Sequence, residues 1–363
     1  MNAVSRPVVL RSEAPVLITG GCGFIGSNLA HALALQGRKV LILDNLSRAG
    51  TEHNAAWLRG QHPDRIGIEL GDVRHAEALR PLVTRASGVL HLAAQVAVTT
   101  SLETPLDDFE INARGTLNVL EAVRRHNPRA PVVFASTNKV YGRLMGDDAV
   151  VRDGTRYVPA EPLLQQGVSE TTPLDFYSPY GCSKGAADQY VHDYARVFGL
   201  RTTVMRMSCI YGARQFGNED QGWIAHFLLQ AMKGAPITIY GDGYQVRDAL
   251  YVDDAVAAWL AALDRMPAGG QVFNLGGGAD NAVSLRELLD LIAALRGARP
   301  DVRFEDWRPG DQRWYVSDTR KLADALGWSP KVRFKDGLAR LERWLLQWLA
   351  ETAAPAPLRE ARA

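Results

Sequence analysis

The stretch that most restricts this chain is "VLITGGCGFIGSNLAHALALQG", Val16 to Gly37. Apolar residues run into a cluster of glycines, and a segment of helical period follows without a linker. Gly20, Gly23 and Gly26 stand three apart at the junction. Such a turn lets the backbone approach a ligand closely and aims the free N–H groups of the helix N-terminus at an anion. Alone, the pattern describes any tight strand-to-helix turn. The next strand-like run, "KVLILD", ends in Asp44, about 20 residues on, where a carboxylate accepts ribose hydroxyls and repels a 2′-phosphate. Strand, loop, helix and acid together predict dinucleotide binding, with NAD favoured over NADP. "GDVR" adds Asp72, which stands beside the adenine or caps a helix. Cys22, inside the loop, reads as a small residue filling a turn rather than as a reactive thiol.

The rest of the N-terminal half repeats the same alternation. "RIGIEL", "GVLHLAA", "PVVFAS" and "RTTVMRMS" are strand-like runs separated by helical segments, which predicts βαβ units and a parallel sheet buried on both faces. The fold class is therefore α/β: a Rossmann-type doubly wound parallel sheet with a smaller C-terminal α/β lobe. A helix is expected over 104–127, with Thr104 as its cap and an apolar stripe of Leu106, Phe109, Ala113, Leu117 and Leu120. A second is expected over 178–199. After about Gly212 the alternation loosens. The division expected is a disordered segment over 1–14, a dinucleotide domain over 15–212 with segments of 236–275 interleaved, a lobe over 213–348 and a disordered tail over 349–363.

Composition removes several function classes. The 363 residues carry a formal net charge of +1, which gives no general attraction to nucleic acid or an anionic membrane. No apolar run approaches the roughly 20 residues that span a bilayer. The three cysteines are far apart with no CxxC, which fits a reducing, cytoplasmic setting. The histidines show no metal-ligand spacing, so no metal is expected, and His91 reads as a satisfied strand histidine.

The chemistry points to three residues. Tyr180 and Lys184, in "YGCSK", are four apart and share a helix face. A lysine beside a phenol is expected to lower its pKa toward the working pH, as a general base requires. Many helices carry that pair as a solvated face. It gains meaning from Thr137, which ends a neighbouring strand in "STNKVYG", because open α/β sheets bind ligands at the carboxyl ends of their strands.

The glycine loop, "HLAAQ", "STNKVYG", "SPYGCSK", "VRD" (Val246 to Asp248), "YVDDAV" and "RPGDQR" together resemble the extended short-chain dehydrogenase/reductase superfamily, from about Pro15 to Trp348. Within it, "STNKVYG", "TRYV", "LDFYSPYGCSKGAADQY" and "DQGW" are most similar to the CDP-tyvelose (CDP-paratose) 2-epimerase group. The resemblance implies an enzyme acting on a nucleotide-activated sugar with Thr137, Tyr180 and Lys184 as catalytic residues. It extends the NAD contacts to Phe24, Ile25, Asn45, Arg48, Val73, Leu92, Ala93 and Ala94. In related dehydratases and decarboxylases the threonine is followed by carboxylates. Here Asn138 and Lys139 stand there, which argues against dehydration and decarboxylation. What remains is removal and return of a hydride, inverting one sugar carbon: C2 of a CDP-3,6-dideoxyhexose first, C4 of a UDP-sugar second. A silent NAD- or nucleotide-binding regulator and a plain reductase are the rival readings.

The resemblance also places the nucleotide. Arg247 and Arg308 fall where relatives clamp the diphosphate, Asp311 where a nucleoside hydroxyl is accepted, and Gln221 and Trp223 in the nucleotide pocket. Asn138, Cys209 and Tyr240 complete the substrate candidates. Cys209 departs from many relatives, which have Asn there, and Tyr177 and Met207 replace histidines of the 2-epimerase pattern. Lys139 is either a surface lysine or a group near the substrate. The long connection over 143–174 suggests a mobile flap over the sugar, and the family implies a homodimer built on the two long helices.

Overall fold

The computed structural model describes residues 14–265, 269–308 and 310–353. Seven parallel strands form the main sheet. Five come in the first part of the chain: β1 (Val16–Thr19), β2 (Val40–Asp44), β3 (Ile66–Leu70), β4 (Gly88–His91) and β5 (Val132–Thr137). The helices between them are α1 (Phe24–Leu35), α2 (Thr51–Gln61), α3 (Ala76–Arg85), α4 (Val98–Glu103), α5 (Pro105–Phe109) and α6 (Gly115–His126). A hairpin, β6 (Val150–Asp153) and β7 (Arg156–Pro159), precedes α7 (Ser178–Phe198) and β8 (Thr202–Met207). The remaining elements are β9 (Cys209–Tyr211), α8 (Trp223–Lys233), β10 (Ile237–Tyr240), β11 (Val246–Tyr251), α9 (Val252–Arg265) and β12 (Gln271–Leu275). The chain closes with β13 (Ala282–Ser284), α10 (Leu285–Arg296), β14 (Val302–Glu305), β15 (Trp314–Tyr315), α11 (Arg320–Leu326) and α12 (Phe334–Ala353).

The main sheet runs β12-β8-β5-β4-β1-β2-β3. Its order reverses between β1 and β4, and the crevice at such a switch point is where ligands bind in open α/β sheets. β1 and β2 are apolar runs until their last residue, as burial on both sides demands, and the polar residues of β5 and β8 are buried too. One core packs α1 and α9 against the sheet and continues into the lobe around the fully buried Trp259; the other, with Val119, Leu120, Val123 and Val191, fills the opposite face. In the lobe, β11 pairs antiparallel with β13 and parallel with β9 and β15.

Several expectations change. Of the stretch 236–275, β10 and β11 belong to the lobe, where β10 pairs with β14, while α9 and β12 belong to the main sheet. The helix expected over 104–127 is broken into α5, a wider π turn (Glu110–Arg114) and α6, and the Thr104 side chain caps nothing, bonding back to the Thr100 carbonyl instead. Its stripe splits: Leu120 and Ala113 are buried, whereas Leu106 and Phe109 face solvent. The expected terminal segments lie mostly outside the described residues, but α12 continues through residue 353, past the expected boundary at 349.

The segment over 143–174 is no free flap. Its hairpin is tied to the lobe: Arg156 forks onto Glu287, the Tyr157 amide donates to the Tyr244 carbonyl at 2.8 Å, and the Tyr157 hydroxyl donates to Asp242. Tyr141, Val150, Tyr157, Val168, Trp314 and Tyr315 form a small core beneath it. Burial of those side chains fixes the strap more firmly than its length suggests.

Candidate active site

The glycine loop is a tight cradle. A Cβ on Gly26 would lie 2.4 Å from the Gly20 carbonyl oxygen, and one on Gly20, whose φ is +69°, would lie 2.6 Å from the Ala93 amide. The loop after β1 therefore packs directly on the Leu92–Ala94 segment after β4, across the switch point. Phe24 and Ile25 are half-buried at the start of α1. Asp44 is buried at the end of β2 and accepts from the amides of Cys22 and Leu46, both at 2.9 Å. Burial raises its pKa against those two bonds. Asn45 donates to Asp72 at 2.9 Å. Burial would raise the Asp72 pKa, but hydrogen bonds from Arg74 and Asn45 outweigh it and hold it at about 2. Val73 is buried behind it.

Cys22 is fully buried and its pKa is raised to about 12, by burial and then by Asp44, so it is an inert turn residue. His91 is buried between Thr19 (2.6 Å) and Thr116 (3.0 Å), and burial followed by Lys184 takes its pKa down to about 3. It is a neutral structural histidine.

Thr137 ends β5 and begins a 3-10 turn, Asn138–Tyr141, whose Lys139 amide donates to its hydroxyl at 3.2 Å. Tyr180 lies in the first turn of α7, with Thr137 the side chain that most opposes the rise in its pKa. The Tyr180 amide donates to Ser101 Oγ at 3.2 Å. Lys184, one helical turn on, is buried with Nζ 4.2 Å from the centre of the Phe134 ring. Burial takes its pKa down to about 7 against the pull of Asp188 and Asp108. The expected lowering of the Tyr180 pKa is not what this arrangement produces. Burial raises it to about 12, Asp108 pushes the same way, and Thr137 and Arg48 oppose. Lys184 does not figure among the groups that shift it. Arg48, offered by sequence as a cofactor contact, faces the catalytic phenol electrostatically.

Asp108 went unread in the sequence. It is fully buried, bonded by Ser183 and, at 3.2 Å, by Asn112, and burial raises its pKa. An acid in the first turn after Thr-Pro reads as ordinary helix-start charge, so no local signal marks it. Asp188 is likewise buried, forked onto Arg206 at 2.9 Å and bonded by Ser136 at 2.7 Å.

Of the substrate candidates, Arg247 and Asp311 meet the Thr137 turn through Lys139. Arg247 donates to Asp311 at 2.7 Å, and Lys139 reaches the same carboxylate oxygen at 3.5 Å. Burial would raise the Asp311 pKa, but both cations hold it below the usual carboxylate range. Lys139 is thus no free surface lysine. Trp223 Nε1 donates to Cys209 Sγ at 3.4 Å. Arg308 lies over the Tyr240 ring at 3.9 Å and pairs with Asp220 at 3.3 Å. Gln221 keeps a buried side-chain oxygen without a protein partner, and Asn138 is buried on the turn. Among the described residues no three His, Cys, Asp or Glu side chains gather as a metal site, and no helix is long and apolar enough to cross a membrane.

A glycine cradle at the switch point, a carboxylate ending the next strand, and a Thr–Tyr pair with lysine at the carboxyl edge of the sheet define a dinucleotide-dependent enzyme of the Rossmann class. Residues 16–276 match the model of the NAD dependent epimerase/dehydratase family. The chain is 44% identical over 339 residues to a CDP-paratose 2-epimerase of Salmonella typhi, covering 91% of this chain and 98% of that protein. Among solved structures it resembles the Thermus thermophilus UDP-glucose 4-epimerase complex with NAD (TM-score 0.76, 34% identity, 92% of this chain and 99% of that one). It also resembles the Bacillus cereus UDP-glucuronic acid 4-epimerase complex with UDP-glucuronic acid and NAD (TM-score 0.80, 27% identity, the same coverage). The chain belongs to the NAD dependent epimerase/dehydratase family, and NAD is its cofactor.

Proposed function

We propose that the protein inverts C2 of a CDP-activated 3,6-dideoxyhexose, of the CDP-paratose/CDP-tyvelose type, in the cytoplasm. The observation that carries this is the pairing of Thr137 and Tyr180 beside a turn whose next two residues, Asn138 and Lys139, offer no carboxylate. Asp311, the acid that Lys139 reaches, is held ionised by two cations and has no proton to give. The site is equipped to move a proton on and off a hydroxyl and lacks the acid–base pair that expelling water requires. The 44% identity to a protein named CDP-paratose 2-epimerase supports the choice of carbon and base.

The glycine cradle, with backbone where any side chain would clash, fits a dinucleotide pyrophosphate, and Asp44 fits the ribose hydroxyls. NAD held there would supply the hydride acceptor, and in its reduced form the hydride donor, for the sugar carbon. Tyr180 would take the proton of the hydroxyl on the same carbon once the positive nicotinamide ring of bound NAD⁺ offsets the burial that holds its pKa near 12, with Thr137 sharing the hydrogen bond. Lys184 presents its charge on the same helix face. The keto-sugar then turns in the pocket, the hydride comes back to the opposite face, and Tyr180 returns the proton. Arg247, Arg308 and the 218–223 segment hold the nucleotide while the sugar turns. Inversion at C4 of a UDP-sugar is the second reading, because the Thr–Tyr–Lys set is indifferent to which carbon is presented.

The experiment is proton NMR of CDP-paratose and UDP-glucose incubated separately with the protein in D₂O. Inversion at C2 without deuterium uptake is expected; inversion only at C4 of UDP-glucose refutes the first reading. We further propose a homodimer in which Leu102, Leu106, Phe109, Tyr190 and Val197, all exposed on α4, α5 and α7, pack against their counterparts. Light scattering at micromolar concentration checks it, and a monomer there refutes it.

A further inference from the structure

Lys139 leaves the turn that Thr137 begins, so the two Cα atoms are at most about 7 Å apart. Its ammonium lies 3.5 Å from Asp311 Oδ1, the oxygen that also accepts from Arg247 at 2.7 Å and from the Gln312 amide at 3.1 Å. The charges decide what this cluster can attract. Arg247 and Asp311 cancel one another. Arg308, on the other flank, is cancelled by Asp220. The positive excess of the Lys139–Asp311–Arg247 triad therefore belongs to Lys139. Without it, the two arginines offered as a diphosphate clamp are internally compensated pairs, and such a pair presents little net field to an incoming anion.

We propose that Lys139 is a phosphate-binding, register-setting residue: it takes the sugar-side phosphate of the nucleotide and so holds the anomeric end of the sugar against Thr137 and Tyr180. C2 is bonded to the anomeric carbon, whereas C4 lies across the ring. A phosphate gripped from the turn of Thr137 presents C2 to the catalytic pair; presenting C4 needs that phosphate a ring's width further away. This rests on the C2 reading above. Burial of Lys139, with Arg247 acting the same way, pulls its pKa down against Asp311, and an arriving phosphate adds a second anion that keeps it protonated.

The test is calorimetric binding of CDP and CMP to NAD-loaded wild type, Lys139→Met and Lys139→Arg. A charge-assisted contact to the second phosphate is expected to make Lys139→Met bind CDP about 10-fold or more weaker, with CMP changed by less than about 2-fold. Lys139→Arg is expected to recover most of the CDP loss. Unchanged CDP affinity overturns the proposal. So does an equal loss for CDP and CMP, which is what loosening around Asp311 would cause. CMP and NAD binding in the same sample show that the variant is folded. The NMR assay on wild type separates the two readings: if only C4 of UDP-glucose inverts, the C2 reading and the register fall together. The phosphate contact is then decided by UDP against UMP.

Discussion

Replacing Gly26 with alanine tests the cofactor cradle with a single methyl group. Two effects compete. Gly26 lies in the first turn of α1, where alanine improves on glycine by up to about 1 kcal/mol. Against that, the new Cβ would stand 2.4 Å from the Gly20 carbonyl oxygen and 2.7 Å from Gly21 Cα, both backbone atoms that cannot rotate away. An ordinary contact begins near 3.4 Å, so the loop must open by about 1 Å. Overpacking of that kind costs about 1–3 kcal/mol, so the clash outweighs the propensity gain. The larger consequence is for NAD. A 1 Å shift of the 20–23 backbone takes its amides out of bonding range of the pyrophosphate, and each hydrogen bond to a charged group is worth about 1.5–3 kcal/mol. Loss of one such bond weakens NAD binding roughly 10- to 150-fold. Calorimetry with NAD reads this directly. Gly60→Ala is the control: nothing lies within 4 Å of its added Cβ in α2, so a stability gain of about 0.5–1 kcal/mol with unchanged NAD affinity is expected. NAD affinity in Gly26→Ala within about 2-fold of wild type would refute the assignment of this loop.

Tyr180→Phe removes the proton carrier, and kcat for sugar inversion is expected to fall roughly 100- to 10,000-fold with NAD affinity nearly intact; turnover equal to wild type discards the mechanism. Arg206→Met leaves the fully buried Asp188 without its forked partner, and urea unfolding should show a loss of about 3–5 kcal/mol. Arg206→Met combined with Asp188→Leu should recover much of that loss; a single-variant cost under about 1 kcal/mol would contradict the buried pair. His91, with a folded pKa of about 3 against 6.5 unfolded, takes up its proton more readily in the unfolded chain. Stability should therefore fall as pH drops below 6.5, by about 2 kcal/mol at pH 5, and stop falling below about 3. Urea midpoints at pH 7 and pH 5 check it, and His91→Gln should lose that part of the slope.

What the sequence disclosed and what it withheld divide along the range of the interactions. The glycine turn, the strand-ending Asp44 and the Tyr180–Lys184 pair are local patterns, each set by one strand or one helix, and they stand where their spacing places them. The strap over 143–174 was misread because its anchors, Glu287, Tyr244 and Asp242, are far along the chain. Lys139 was ambiguous for the same reason, since Asp311 is 172 residues away. The Tyr180 pKa went the opposite way because burial, with Asp108 adding to it, outweighs Thr137 and Arg48, a balance the Tyr-x-x-x-Lys spacing does not reveal. A broken helix over 104–127 was equally hidden, because a π turn is a matter of one extra residue in a hydrogen-bond ring rather than of composition.

The return of the chain to the main sheet at β12, after β9, α8, β10 and β11 have entered the lobe, limits how this scaffold can be recombined. A fragment ending near residue 212 would leave β8 as a bare edge, with Val204 and Met205 still paired to β5 but stripped of β12 on their other side. Exchanging everything after one junction therefore also exchanges α9 and β12, which pack on the host's α1 and β8. A graft of the lobe from a relative has to be made as two inserts, roughly 208–251 and 276–353, with α9 and β12 retained from the host.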